Sequence, residues 1–153
     1  MTDSVETDPL HDNIRTLLYY LGLAVDERLL DYRRGTPYEH VRQSDVRVFI
    51  TAARANYTIS DIARELRITR QAAQMSVKRL LALQVVSLKP VPGNNRDKHV
   101  VLTARGQQAR RSAAKQSARI EAELAQVVGA EGLEKFRHTL SALVAKFGAR
   151  LLA

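Results

Sequence analysis

Between Thr58 and Gly106 the chain sets two short helical patterns around a tight turn, then at once two β-branched runs around a basic loop. No other feature constrains the fold as much, because elements joined by so few residues must pack on one another. The first pattern, TISDIARELRI, opens at Thr58, whose hydroxyl can cap the amide of Asp61 while that acid sits favourably in the first turn. Ile62, Ala63 and Leu66 fall on one apolar stripe. Arg67 to Thr69 has room only for a turn, and Thr69 is the cap candidate for a second helix, RQAAQMSVKRLLAL. VVSLKPV and HVVLT read as strands, and the intervening PGNNRDK supplies the Pro, Gly and Asn of a tight loop.

The second helix divides into two faces. At about 100° per residue, Ala72, Ala73, Ser76, Leu80 and Leu83 share one side and Arg70, Gln71, Gln74, Met75 and Lys78 the other. A small apolar side allows close docking on the preceding helix, and a polar side of this composition suits the major groove of DNA. Arg pairs with guanine, Gln with adenine, and Met75 can lie against a thymine methyl. Thr69 opens this surface; Lys78 and Arg79 are expected on phosphates, which position a protein without reading sequence. Asn95, Arg96 and Lys98 fall at the hairpin tip, where a wing would reach the adjacent minor groove. Taken singly, the helix is an ordinary solvated amphipathic helix and the tip an ordinary polar turn. Their order is what favours a nucleic-acid binder.

Charge follows the same division. Residues 54–111 hold 12 basic and 3 acidic residues, against 6 and 9 in residues 1–53 and 6 and 4 in residues 112–153. The net charge of +8 is therefore concentrated in the segment proposed to meet a polyanion.

The stretch DIARELRITRQAAQMSVKRLLALQVVSLKPVPGNNRDKHVVLTARG resembles the winged-helix core of the MarR family of bacterial transcription regulators, over about a third of the chain. The flanking helical patterns fit that family's layout. The resemblance implies a homodimeric repressor that binds a pseudo-palindromic operator and is relieved by a small aromatic or lipophilic effector. It makes the helix from Thr69 to Leu83 the recognition helix and Arg96 the wing arginine. Three positions depart from the family pattern: Gln84 replaces a usual Gly, Val91 stands near a usual acid, and Asn94 replaces the acid of an Asp-x-Arg wing motif. Gln84 makes a left-handed helix end costlier, and Asn94 can hydrogen-bond but cannot pair ionically with Arg96.

The flanks read as a dimerising frame. Asp8-Pro9 is a helix-start signal, and Leu10, Ile14, Leu17, Leu18, Leu21, Val25 and Leu29 recur at helical spacing until Arg33-Arg34-Gly35. SDVRVFITAARA is expected to support the winged core through Val46, Phe49 and Ile50. Thr103 can cap a long helix with Ala113, Ile120, Leu124, Val127 and Val128 on one stripe. Beyond a break at Gly129, Leu133, Phe136, Leu140, Leu143, Val144, Phe147 and Leu151 continue at spacings of three and four. Packing of these stripes on their own chain is one outcome; pairing with a second copy is favoured, since a dimer sets two recognition helices on successive turns of DNA.

The predicted fold is thus mainly α with a small β-hairpin wing (α+β), in three parts: a dimerisation helix over residues 1–35, a winged core over 36–106 and dimerisation helices over 107–153. Arg15, Tyr19, Tyr20, Tyr32 and Phe49 are candidates for an effector pocket, because aromatic rings with polar tips suit a small amphipathic ligand. Interface packing with wet hydroxyls is the plainer account of the tyrosines.

The 153 residues contain no cysteine, which excludes disulfides, thiolate switches and Cys-based zinc sites. His11, His40, His99 and His138 lack metal-ligand spacing, so no metal or cofactor is expected. No Gly-rich phosphate loop, HExxH, Cys/His pair or GxSxG indicates an enzyme. The N-terminus lacks the pattern of a signal peptide and no apolar run approaches a membrane span, which points to the cytoplasm and the nucleoid. The alternative function is a nonspecific architectural DNA-binding or protein-interaction module on the same winged helix.

Overall fold

Residues 12–147 are described by the structure, a computed structural model; the side chain of Asn95 lies outside the description. In order, the elements are α1 (Ile14–Arg33), α2 (Gln43–Ala52), α3 (Ile59–Leu66), α4 (Arg70–Ala82), β1 (Val86–Val91), β2 (Asn94–Leu102) and α5 (Ala104–Phe147). The fold is mainly helical with one two-stranded antiparallel hairpin, as the sequence predicts. It divides into two compact units between Glu39 and His40.

The first unit carries α1. The expected start at Asp8-Pro9, with Leu10, lies outside the described residues; the described helix is capped by Asn13, whose Oδ1 accepts from the Thr16 amide at 3.0 Å. It stops where Arg33-Arg34-Gly35 is expected to stop it, and Gly35 takes a φ of +70° that costs glycine little. Leu17, Leu18, Leu23 and Leu30 are exposed along it.

The second unit holds nearly all of the buried apolar side chains. Val48 and Ala52 of α2, Ile62 and Ala63 of α3, and Ala73, Val77 and Leu80 of α4 close around Val85, Val86 and Val100 at the base of the hairpin. Two expectations shift by a residue or so. In α2 the inner face carries Asp45, Val48, Thr51 and Ala52, while Val46 and Phe49 are half-buried and Ile50 is exposed. In α4 the inner face is Ala73, Ser76, Val77 and Leu80, so Val77 replaces Ala72, which points to solvent. Periodicity fixes the existence of a buried stripe, but its centre depends on which neighbours the helix meets.

The hairpin leads directly into α5. Thr103 caps that helix by accepting from the Gly106 amide at 3.0 Å, and its own hydroxyl donates to the Gln84 carbonyl at 2.7 Å. Gly106 is needed there: a Cβ on it would sit 2.0 Å from the Val85 carbonyl oxygen. At Gly129 (φ 77°, ψ 160°) the helical path breaks as expected. Arg137 forks onto Glu121 with both N–O distances 3.0 Å, joining the halves across that break and holding the Glu121 carboxyl below its usual range.

Candidate nucleic-acid interface

Each helix of the helix-turn-helix is fixed by local bonds that its own sequence supplies. At α3 the Thr58 hydroxyl accepts from the Asp61 amide at 3.2 Å, and the Asp61 carboxylate accepts from the Thr58 amide at 3.0 Å, which completes a capping box. The side-chain and backbone hydrogen bonds from Thr58, aided by Arg64, keep the Asp61 carboxyl below its usual range despite partial burial. The helix ends with Arg67 in the left-handed region (φ 53°), where the Ile68 amide reaches back to the Ala63 carbonyl at 3.0 Å. Two residues later Thr69 starts α4, accepting from the Ala72 amide at 3.1 Å. The same ending recurs at Gln84 (φ 59°), with the Val85 amide on the Leu80 carbonyl at 3.2 Å. The expected left-handed turn is therefore present at Gln84, on a residue with a Cβ.

With its inner face buried, α4 presents Arg70, Gln71, Gln74, Met75 and Lys78 to solvent, and Thr69 is exposed at its start. Met75 stands half open at 50%, unusual for a large apolar side chain on a helix otherwise well docked. Arg79, expected on phosphate, is held by a carboxylate of the core: its Nε donates to both Asp45 oxygens at 3.1 and 2.9 Å and its Nη2 to Asp45 Oδ1 at 2.6 Å. The partner lies 34 residues earlier, so no local pattern signals the pair.

The wing also differs in detail from expectation. Only Pro92-Gly93 forms the turn, with Gly93 at φ 75°, and the strand resumes at Asn94. Pairing runs Pro90 with Lys98 and then Val91 with Asn94, so Asn95, Arg96 and Asp97 bulge outward from β2. Asn94 secures this bulge: its Oδ1 accepts from the amides of Arg96 at 2.9 Å and Asp97 at 3.4 Å, and its Nδ2 donates to Asp97 Oδ2 at 2.9 Å. Asn94 thus braces the Arg96 backbone, and the Arg96 side chain remains exposed without a carboxylate partner among the described residues.

The wing is tied to the helices by a strand-like contact that no local sequence pattern signals. The Val100 amide donates to the Tyr57 carbonyl at 2.8 Å, and Thr58 bridges His99. This sets Arg96, Asp97 and Lys98 of the wing and Arg70 of α4 around one cleft of about 130 Å³, lined also by Thr58 and Ser60. Three cations and the Asp97 carboxylate line this space beside the start of α3, a net positive lining suited to an anionic backbone. Ser60, in the first turn of α3, carries no pattern in the sequence that marks it as part of this cleft.

The effector candidates are less gathered. On α1, the rings of Tyr19 and Tyr20 meet edge to face with centroids 5.6 Å apart, both exposed, as is Arg15; Tyr32 is half-buried. Phe49 belongs to the other unit and is half-buried on α2.

No family model and no curated protein sequence matches this chain. Solved structures do match. The apo form of wild-type MarR from E. coli superposes with a TM-score of 0.72 at 18% identity, covering 86% of this chain and 96% of that one. A MarR transcriptional regulator from Methanosarcina mazei gives 0.73 at 13% identity, over 87% and 94%. FabT of Streptococcus pneumoniae, solved in complex with DNA, gives 0.69 at 16% identity, over 90% and 99%. Likeness over nearly the full length at such low identity establishes a common fold, the MarR-type winged helix.

Proposed function

We propose that this chain is a MarR-family transcription regulator rather than an enzyme: a homodimer that binds double-stranded DNA at a pseudo-palindromic operator, represses from it, and is released by a small aromatic or lipophilic ligand. The observation that carries this is the outer face of α4. Arg70, Gln71, Gln74, Met75 and Lys78 are exposed together on a helix whose other side is closed, and Arg96 and Lys98 flank it on a braced wing. Gln71, Gln74 and Met75 read base edges; Lys78, Arg70 and Lys98 hold phosphate; Arg96 enters the minor groove. The solved FabT complex with DNA supports the same use of the fold here.

Exposed apolar residues of α1 and of α5 around and beyond Gly129 support dimerisation; in this reading residues 1–35 and 107–153 form the dimerisation parts and 36–106 the DNA-binding core. The ligand is assigned to α1, to the exposed Tyr19–Tyr20 pair with Arg15 and Tyr32. No described helix is long and apolar enough to cross a membrane, and a DNA-bound regulator works in the cytoplasm at the nucleoid.

Selection of bound sequences from random duplexes, followed by footprinting, tests the proposal. A two-fold symmetric site with half-sites about one helical turn apart is expected. Binding without any enriched sequence would instead assign the chain to nonspecific architectural binding.

A further inference from the structure

Inside the winged core one contact is unlike the rest. The Asp45 carboxylate, 3% exposed in the first turn of α2, takes the forked guanidinium of Arg79 from the last turns of α4. Arg79 also donates to the buried Ser76 hydroxyl at 3.1 Å, and the Ser44 hydroxyl donates to Asp45 at 3.4 Å. Most of the remaining inner residues of the two helices are small: Val48, Thr51 and Ala52 on α2, Ala73, Ser76 and Val77 on α4, with Leu80 the one long apolar side chain.

Small apolar side chains hold a helix close but hold its rotation poorly, because hydrophobic contact has no direction. A bidentate Arg–carboxylate bond has a fixed plane and two fixed distances. Buried pairs of this kind add little net stability compared with an apolar replacement, since desolvation offsets the attraction. Yet a base-reading helix depends on its rotation, because each residue occupies about 100° of the circumference and a small turn moves Gln71 and Gln74 off their base edges.

We propose that Asp45 is a positioning residue for base reading: through Arg79 it fixes the rotation and axial register of α4, and so sets sequence discrimination more than fold stability. It rests on α4 being the helix that reads DNA. Arg79 in this account is an internal anchor and not a phosphate contact, which separates it from Lys78 on the outer face.

The test uses the full-length protein with three changes: Asp45→Asn alone, and the apolar pair Asp45→Leu, which keeps the branching of the carboxylate, with Arg79→Met. Urea unfolding is measured beside affinity for the selected operator and for a scrambled duplex of equal length, at several salt concentrations. For the paired variant the expected result is unfolding at no lower urea, unchanged affinity and salt slope on scrambled DNA, and an operator preference reduced roughly tenfold, the size of one lost base contact. Asp45→Asn, which preserves shape, should lose preference in the same direction and serves if the paired variant does not fold. Unchanged preference in the folded variants overturns the proposal. So does weaker scrambled-DNA binding with a flatter salt slope in the paired variant, because that is the signature of a lost phosphate contact. If the wild-type protein itself prefers no sequence, it is the assignment of α4 as a reading helix that fails.

Discussion

Ile62, Val48 and Val100 in the winged core are completely closed to solvent, whereas Val127 and Phe147 on α5 stand 83% open and Ile14 on α1 72%. The same kinds of side chain thus meet opposite fates in two parts of one chain. In the core, short helices linked by tight turns surround a hairpin, and small residues such as Ala63 and Ala73 let them approach closely enough to exclude water. The long terminal helices have few neighbours to cover them. A stripe left open over that length costs solubility unless something packs on it, and a second copy of the same stripe is the simplest cover. The core closes on its own residues; the ends leave apolar surface open, which the proposed dimer would cover.

The sharpest way to break this comparison is to damage the core alone. Gly106→Ala places a Cβ against the Val85 carbonyl, backbone that cannot move aside without disturbing the hairpin base. A loss of about 3 kcal/mol is expected in urea unfolding. An unaffected midpoint would mean that the α5–hairpin junction contributes little to the core.

The next effect falls on the ends. Leu18→Asp, on an exposed apolar position of α1, should leave the circular dichroism of a folded protein intact while weakening self-association. Losing one buried leucine from an interface corresponds to about 2 kcal/mol, or roughly a thirtyfold rise in the dimer dissociation constant by sedimentation equilibrium. Sedimentation of the wild type as a folded monomer at micromolar concentration would remove the shared-interface account altogether.

A third difference is confined to acid. Burial disfavours the charged form of Asp45, but hydrogen bonds from Arg79 and Ser76, the Arg79 charge and Ser44 outweigh it and hold the carboxyl below its ordinary value. A carboxyl depressed in the folded state stabilises above the unfolded value of about 4, and that contribution is lost as pH falls through the folded value. The stability margin of wild type over Asp45→Asn should therefore be constant near neutrality and shrink below about pH 4. If acid instead acts through the terminal helices, the margin will not change while the dimer dissociates.

The smallest effects compare backbone strain in the two regions. Gln84→Gly should stabilise by about 0.5–1 kcal/mol, because a residue with a Cβ is held there at φ 59°. Gly22→Ala on α1 has nothing within 4 Å of the new methyl and should raise stability by a similar amount of about 0.5–1 kcal/mol through helix propensity. A loss of dimer on Gly22→Ala would show that a partner helix approaches closely at that glycine.

How much of this was legible beforehand depended on distance along the chain. The caps at Thr58, Thr69 and Thr103, the breaks at Gly35 and Gly129, and the two faces of α4 all involve residues within about four positions, where spacing and side-chain chemistry suffice. What the sequence alone determined was therefore the order and type of elements, and with it the winged helix. The tertiary structure decided what depends on partners far away: that Val48 and not Ile50 faces inward, that Arg79 turns to Asp45, that β2 begins at Asn94, and that Tyr57 and Thr58 join the wing to α3. One hint did lie in the sequence, since Asp45 shares a helical stripe with Val48 and Ala52, and a carboxylate on a buried stripe needs a cation. Which of the nearby arginines would supply it could not be read there, because a charge finds its partner only once packing has brought the helices together.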